Sequence, residues 1–128
     1  VRLLLDTNAL LWSLDNSPRL SKRATDFLND PSKEKVVSIV SFWEITIKVS
    51  IQKLVLKEAP DRLLERFERD RLSLVLPIQV LHLRILKTLP HHYKDPFDRL
   101  IVSQALAENL TLVSSDGSLD TYGVQRIW

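Results

Sequence analysis

An α/β domain with a mainly parallel sheet is what this sequence predicts, on three observations. Short apolar, often β-branched runs alternate with longer segments whose apolar residues recur at helical spacing. Only two glycines occur in 128 residues, which suits strands joined through helices that cover both faces of a sheet. Four carboxylates, Asp6, Glu44, Asp98 and Asp116, each fall where a strand has just ended or a helix has just begun. In a parallel sheet such positions share one rim.

Arg2–Leu5 reads as a short buried strand. Thr7–Leu14 follows as a helix packed on it, apolar at Ala9, Leu10, Leu11, Trp12 and Leu14. Asn16-Ser17-Pro18 makes a turn. Ser21 caps a helix that runs to about Asn29 and is ended by Asp30-Pro31-Ser32. Residues 36–40 form a β-branched strand, and Ser41 caps a helix over 42–51. Pro60 and Asp61 open a helix through Asp70, with Leu63, Leu64 and Phe67 on one face. Residues 72–76 are the third strand, Pro77 starts a helix to about Leu86, and 91–94 is a loop. Asp95-Pro96 opens a helix through Glu108, with Phe97, Leu100, Ile101, Ala105 and Leu106 turned inward. Residues 111–114 and 124–127 complete a set of five strands. With no repeat, low-complexity tract or linker, 1–128 reads as one domain.

Composition narrows the chemistry. Hydrophobic content of 45% and charged content of 27% are those of a globular chain. The absence of cysteine removes disulfides, thiolate metal sites and thiol nucleophiles, and suits the cytoplasm. No run approaches the roughly 20 apolar residues of a membrane span, and Asp6 cuts off the first apolar run too early for a signal peptide. Net charge is +2. If the four acids gather in one crevice, the remaining surface is more positive than that average. Lys48, Lys53, Lys57, Arg84, Lys87, Lys94 and Arg99 are then candidates for a cationic rim.

Each acid has an ordinary explanation by itself. Asp6 suits an N-cap. Ser41-x-x-Glu44 has the form of a capping box with Glu44 at N3. Asp95-Pro96-Phe97-Asp98 supplies a cap, a proline at N1 and an acid at N3. Asp116-Gly117 suits a turn. Caps can occur anywhere in a fold, however, whereas these four are expected on one rim. Carboxylates gathered there repel one another unless a cation fills the space, which points to a metal site for chemistry on phosphates. Magnesium takes one or two protein carboxylates directly and holds others through water, a division that four acids satisfy.

Other chemistries fit less well. His91 and His92 are adjacent and lack the spacing of a helical zinc pair. No glycine-rich phosphate loop is present. Ser114 and Ser115 lack the context of a nucleophile elbow. Lys48 lies four residues after Glu44, the spacing of a helical ion pair.

The residues at these positions resemble a known family. Leu3-Leu4-Leu5-Asp6-Thr7-Asn8-Ala9-Leu10-Leu11-Trp12 is similar to the opening of the PIN-domain ribonucleases, and Ser41-Phe42-Trp43-Glu44-Ile45-Thr46-Ile47-Lys48 to their second acidic motif. Residues 89–101, from Leu-Pro-His-His-Tyr-Lys to Asp-Pro-Phe-Asp-Arg-Leu-Ile, resemble the third, in the branch that includes VapC-type toxins. Leu112-Val113-Ser114-Ser115-Asp116 resembles the fourth. Together the motifs span nearly the whole chain in the right order. The branch often carries histidine where this chain has Asn8, and glycine where it has Gln52.

The resemblance implies a three-layer α/β/α sandwich around a central five-stranded sheet. It also implies an endoribonuclease dependent on Mg²⁺ or Mn²⁺, cleaving RNA with metal-activated water. Asp6, Glu44, Asp98 and Asp116 would be its catalytic and metal-holding residues, with Thr7 and Ser114 orienting water and Lys94 and Arg99 gripping substrate phosphates. Asp95 belongs to the third motif but reads as an N-cap. A small antitoxin and a homodimer are implied as partners, with Trp12, Phe42 and Trp43 as interface candidates. A haloacid-dehalogenase-like phosphatase would need a second aspartate where Asn8 stands, and a receiver domain would need paired acids after the first strand. An inactive, nucleic-acid-binding relative is the remaining alternative.

Overall fold

The computed structural model describes residues 2–70, 73–92 and 95–128. Five strands, β1 (Arg2–Leu5), β2 (Glu34–Ser38), β3 (Leu74–Leu76), β4 (Thr111–Val113) and β5 (Arg126–Ile127), form one sheet in the order β3-β2-β1-β4-β5. All four pairings are parallel, with Leu5 level with Val37 on one side and with Val113 on the other. The helices are α1 (Thr7–Leu14), α2 (Lys22–Asn29), α3 (Ile39–Ser50), α4 (Pro60–Asp70), α5 (Val80–Thr88) and α6 (Pro96–Glu108), with a 3-10 helix over Gly117–Tyr122.

Side-chain alternation along the strands builds the layers. Leu3, Leu5, Val37 and Val113 point to one face, where they pack with residues of α1 to α4 such as Leu10, Ala24, Ile45, Leu63 and Phe67. Leu4, Val36 and Leu112 point to the other, against Leu100, Ile101 and Ala105 of α6. With Ile85 and Leu86 of α5 added there, the expected three-layer α/β/α sandwich is the observed one.

Several boundaries differ from expectation. β2 starts two residues early and ends at Ser38, because the Ser38 hydroxyl accepts from Val40 N at 3.0 Å and starts α3 at Ile39. The β-branched Ile39 and Val40 therefore lie in a helix, where a cap overrides weak strand propensity. Helix α5 begins at Val80 rather than at Pro77, after Gln79 N donates to His82 Nδ1 at 3.0 Å. Leu72, expected at the start of the third strand, lies outside the described residues, and β3 begins at Leu74.

Strand order also locates the functional crevice. The chain runs from β1 outward through β2 and β3, then crosses back to place β4 on the opposite side of β1. Connections thus leave the carboxyl ends of β1 and β4 in opposite directions, opening the cleft in which parallel sheets hold ligands.

Candidate active site

Asp6 follows the last residue of β1, and Ser114 the last of β4. The Asp6 amide extends the ladder by donating to Val113 O at 3.1 Å. Its carboxylate caps α1, accepting from Ala9 N at 2.8 Å. Capping holds Asp6 in place in an otherwise buried position. Asp116, three residues past β4, caps the 3-10 helix: its Oδ1 accepts from Ser118 N at 3.0 Å and from Ser118 Oγ at 2.5 Å.

Glu44 reaches the crevice differently from the sequence expectation. Because α3 begins at Ile39, Ser41 lies inside the helix and Glu44 lies in its second turn, so the capping box does not form. Glu44 is buried instead, and both its oxygens are engaged. Thr7 Oγ1 donates to Oε1 at 2.7 Å, and Lys48 Nζ donates to Oε2 at 2.6 Å. Thr7 Oγ1 also lies 3.1 Å from Ser41 Oγ. The residue expected to cap α3 thus joins the hydroxyls that line its acidic face.

Asp98 stands in the first turn of α6, with Asp95 as the cap accepting from Phe97 N at 2.9 Å and Asp98 N at 3.3 Å. Burial first, then the charges of Asp95, Asp6, Glu44 and Asp116, push the Asp98 carboxyl up to about 7. The Asp6 carboxyl is also raised, chiefly by burial and further by Glu44 and Asp116, while the Ser114 hydroxyl and Ala9 amide pull it back. Asp98 therefore feels the charge of the other three acids, and Asp6 that of Glu44 and Asp116.

The four acids do not form a ready-made ligand shell. Among the described residues, no group of three or more His, Asp or Glu is disposed to hold a metal ion. Asp6 and Asp116 are engaged partly as caps, and Glu44 with Thr7 and Lys48. Even so, the donor set suits a hard divalent cation, being all carboxylate oxygen with two members raised by burial first and by neighbouring negative charge after it.

The supporting residues fared unevenly. Thr7 and Ser114 are buried beside the acids. Arg99 corrects expectation: it is buried, and its guanidinium donates to Leu89 O at 3.2 Å and Pro90 O at 3.5 Å, with His91 Nδ1 3.2 Å away. It pins the loop before α6 rather than facing a phosphate. Lys94 lies outside the described residues. Phe42 is core, whereas Trp43 is exposed. Sequence reasoning missed Arg126, which grips Asp120 at 2.8 and 3.1 Å and donates to Ser114 O at 3.0 Å, bracing the segment that carries Asp116. Its only sequence signal was an arginine in the last strand, one residue from the end of a buried ladder.

Among curated proteins, none matches this sequence. Solved structures do. FitAcB from Neisseria gonorrhoeae is 22% identical over 98% of this chain and 96% of its own, with a TM-score of 0.68. VapBC2 from Rickettsia felis, bound to a DNA fragment from its promoter, is 18% identical over 100% and 99%, with a TM-score of 0.72. A toxin–antitoxin complex from Klebsiella pneumoniae is 16% identical over 98% and 96%, with a TM-score of 0.66. At these identities the likeness is one of fold. The PIN-domain family model matches residues 3–124, and that match takes in the two cleft-lining strands and all four acids. By fold, by the order of its acidic motifs and by this match, the chain belongs to the PIN-domain family.

Proposed function

We propose that this chain is an endoribonuclease dependent on Mg²⁺ or Mn²⁺, and the toxin of a toxin–antitoxin pair. PIN domains are generally nucleases, which supplies the reaction class. The observation that carries the metal-dependent reading is Asp98, whose carboxyl is pushed to about 7 by burial and by four other carboxylates, Asp95, Asp6, Glu44 and Asp116. A site that collects like charge in this way is built for a compensating cation.

Asp6, Asp98, Asp116 and Glu44 would hold the ion, directly or through water. When bound, a divalent cation supplies charge neutralisation at the phosphate and the acidified water that hydrolysis needs. The chain's own residues do the rest. Thr7 orients Glu44 through its hydroxyl, and Ser114 donates towards Asp6. Arg126 braces the backbone before Asp116 through Ser114 O, and the Ser118 amide holds the Asp116 carboxylate. No serine or cysteine nucleophile is assembled among these residues, so the attacking group is solvent.

The partner reading rests on two supports. Structures similar in fold are described as VapBC and toxin–antitoxin complexes. Trp43 and Ile47 of α3 and its C-cap Ile51 recur at every fourth position and are 51%, 37% and 54% exposed, an apolar stripe suited to a protein partner, whether an antitoxin or a second copy. No helix among the described residues is long and apolar enough to cross a membrane.

A second reading, a PIN domain that binds nucleic acid without cutting it, draws on the acids being engaged locally rather than gathered into a ligand shell. One experiment separates them. Total RNA incubated with the protein in Mn²⁺ should yield discrete new ends by end-sequencing, and excess EDTA should abolish them. Cleavage that survives EDTA would overturn the metal mechanism, and no cleavage in Mn²⁺ would favour the binding-only reading.

A further inference from the structure

Gln104 of α6 is wholly buried, and its amide meets three other elements at once. Its Nε2 donates to Pro77 O at 3.3 Å, just after β3, and lies 3.4 Å from His82 Nδ1 on α5. A carbonyl oxygen only accepts, so the amide nitrogen must face Pro77 and Oε1 must face Ser38. The Ser38 hydroxyl donates to that Oε1 at 2.5 Å. His82 Nδ1 also accepts from Gln79 N at 3.0 Å, so the ring proton sits on Nε2 and is donated to Glu108 at 3.0 Å.

The direction of these bonds matters at Ser38. A hydroxyl has one proton, and Gln104 takes it. The oxygen lone pairs are thereby turned to Val40 N at 3.0 Å, which makes Ser38 the N-cap of α3. Three residues on, Ser41-x-x-Glu44 holds the pattern of a second start. In that alternative Ser41 caps the helix, Glu44 turns back to the Ser41 amide, and the bond from Thr7 to Glu44 is lost. The folded protein uses the first start, and Thr7 Oγ1 lies 3.1 Å from Ser41 Oγ and 2.7 Å from Glu44 Oε1.

We propose that Gln104 is a positioning residue of the acidic crevice: it orients the Ser38 hydroxyl as the cap of α3, selects that start over Ser41, and so keeps Glu44 against Thr7. The selection is made across 66 residues of sequence, by a side chain whose own hydrogen bonds go to Ser38, Pro77 and His82. Replacing it by an apolar residue leaves the Ser38 hydroxyl and the Pro77 carbonyl buried without this partner, which weakens the first start and leaves the second untouched. Where α3 begins is a property of the fold, so it holds whether or not the crevice cleaves RNA.

Amide hydrogen exchange followed by NMR tests this on the unmodified protein, Gln104→Leu and the milder Ser38→Gly, with neither metal nor RNA present. In a helix starting at Ile39, the amides of Phe42 and Trp43 bond to the carbonyls of Ser38 and Ile39. A start at Ser41 removes both bonds, while the amides of Ile47, Lys48 and Val49 keep theirs. In Gln104→Leu, exchange at Phe42 and Trp43 should quicken roughly tenfold relative to Ile47, Lys48 and Val49, the size of one lost cap. Ser38→Gly should give the same pattern. Adding Ser41→Ala to Gln104→Leu should then speed exchange throughout α3, because the second start is gone as well. An unchanged ratio in both single variants, whether all of α3 exchanges faster or none of it does, would overturn the selection and leave Gln104 as ordinary core packing. Failure of both to fold would also overturn it, since no second start would then take over. Each of these failures leaves the nuclease reading standing, and loss of that reading leaves the exchange pattern as predicted.

Discussion

The Thr7 hydroxyl donates to Glu44 Oε1 at 2.7 Å, across 37 residues of sequence. It ties the first turn after β1 to the second turn of α3, so the strand that delivers Asp6 also fixes Glu44. Replacing Thr7 by Val keeps the shape and removes the donor. A buried carboxylate then loses one of its two partners, at a cost of about 1–3 kcal/mol. Thr7→Ser should retain most of that stability. Urea melts of the two variants check the difference. Equal stability of Thr7→Val and the unmodified protein would mean that this bond contributes nothing.

Asp98 gives a dependence on pH whose sign follows from its environment. Its folded carboxyl is pushed up to about 7, from the ordinary aspartate value of 3.8. The protonated form is therefore favoured in the folded state. Its contribution to stability is complete below about pH 4 and is lost as pH rises through 7. Asp6, raised in the same direction, adds to the trend. In EDTA, Asp98→Asn should melt close to the unmodified protein at pH 4.5 and clearly above it at pH 8. A gap that stays constant or closes with rising pH would contradict the coupling among the acids.

Gln52 stands where the related branch often has glycine, and it adopts φ 61°, the left-handed region. The turn after α3 thus keeps a conformation that glycine adopts freely and a residue with a side chain adopts at a cost. Gln52→Gly should stabilise the fold by roughly 0.5–1 kcal/mol after the greater unfolded-state entropy of glycine is offset. Denaturant melts read this directly, and destabilisation would show that the Gln52 side chain makes up for its strain.

The sequence made the layers legible because the apolar periods are strong. Leu3-Leu4-Leu5 and Leu112-Val113 could only be buried strands, and Pro96 with Asp95 before it marked the start of α6 where it is observed. Boundaries failed where a side-chain contact outweighed propensity. Ser38 rather than Ser41 starts α3, and this moves Glu44 from a capping role to a buried one. Long-range polar contacts were out of reach altogether. Nothing local announces that Gln104 accepts from Ser38 Oγ at 2.5 Å and donates to Pro77 O at 3.3 Å, or that Arg99 would be spent on the Leu89 carbonyl. The acids were found because their positions relative to strand ends follow from topology. The cap made by Asp6 and the Glu44–Lys48 pair were legible in local spacing, whereas the Thr7 bond to Glu44, across 37 residues, was not.

The claim at the centre of this account is that Asp6, Glu44, Asp98 and Asp116 are a coupled cation-binding group rather than four carboxylates that serve only their own helices. Thermal melting of the unmodified protein and Asp98→Asn at pH 8, each in EDTA and in saturating Mn²⁺, tests it most directly. Asp98→Asn should melt higher in EDTA, because a repelled charge is gone. Mn²⁺ should then stabilise the unmodified protein by about 2.7 kcal/mol at a hundredfold excess over its dissociation constant, and the variant by less. If the acids are only caps, loss of the Asp98 charge at the start of α6 should instead cost roughly 0.3–1 kcal/mol. An Asp98→Asn protein that melts lower in EDTA, with neither protein responding to Mn²⁺, would contradict the account.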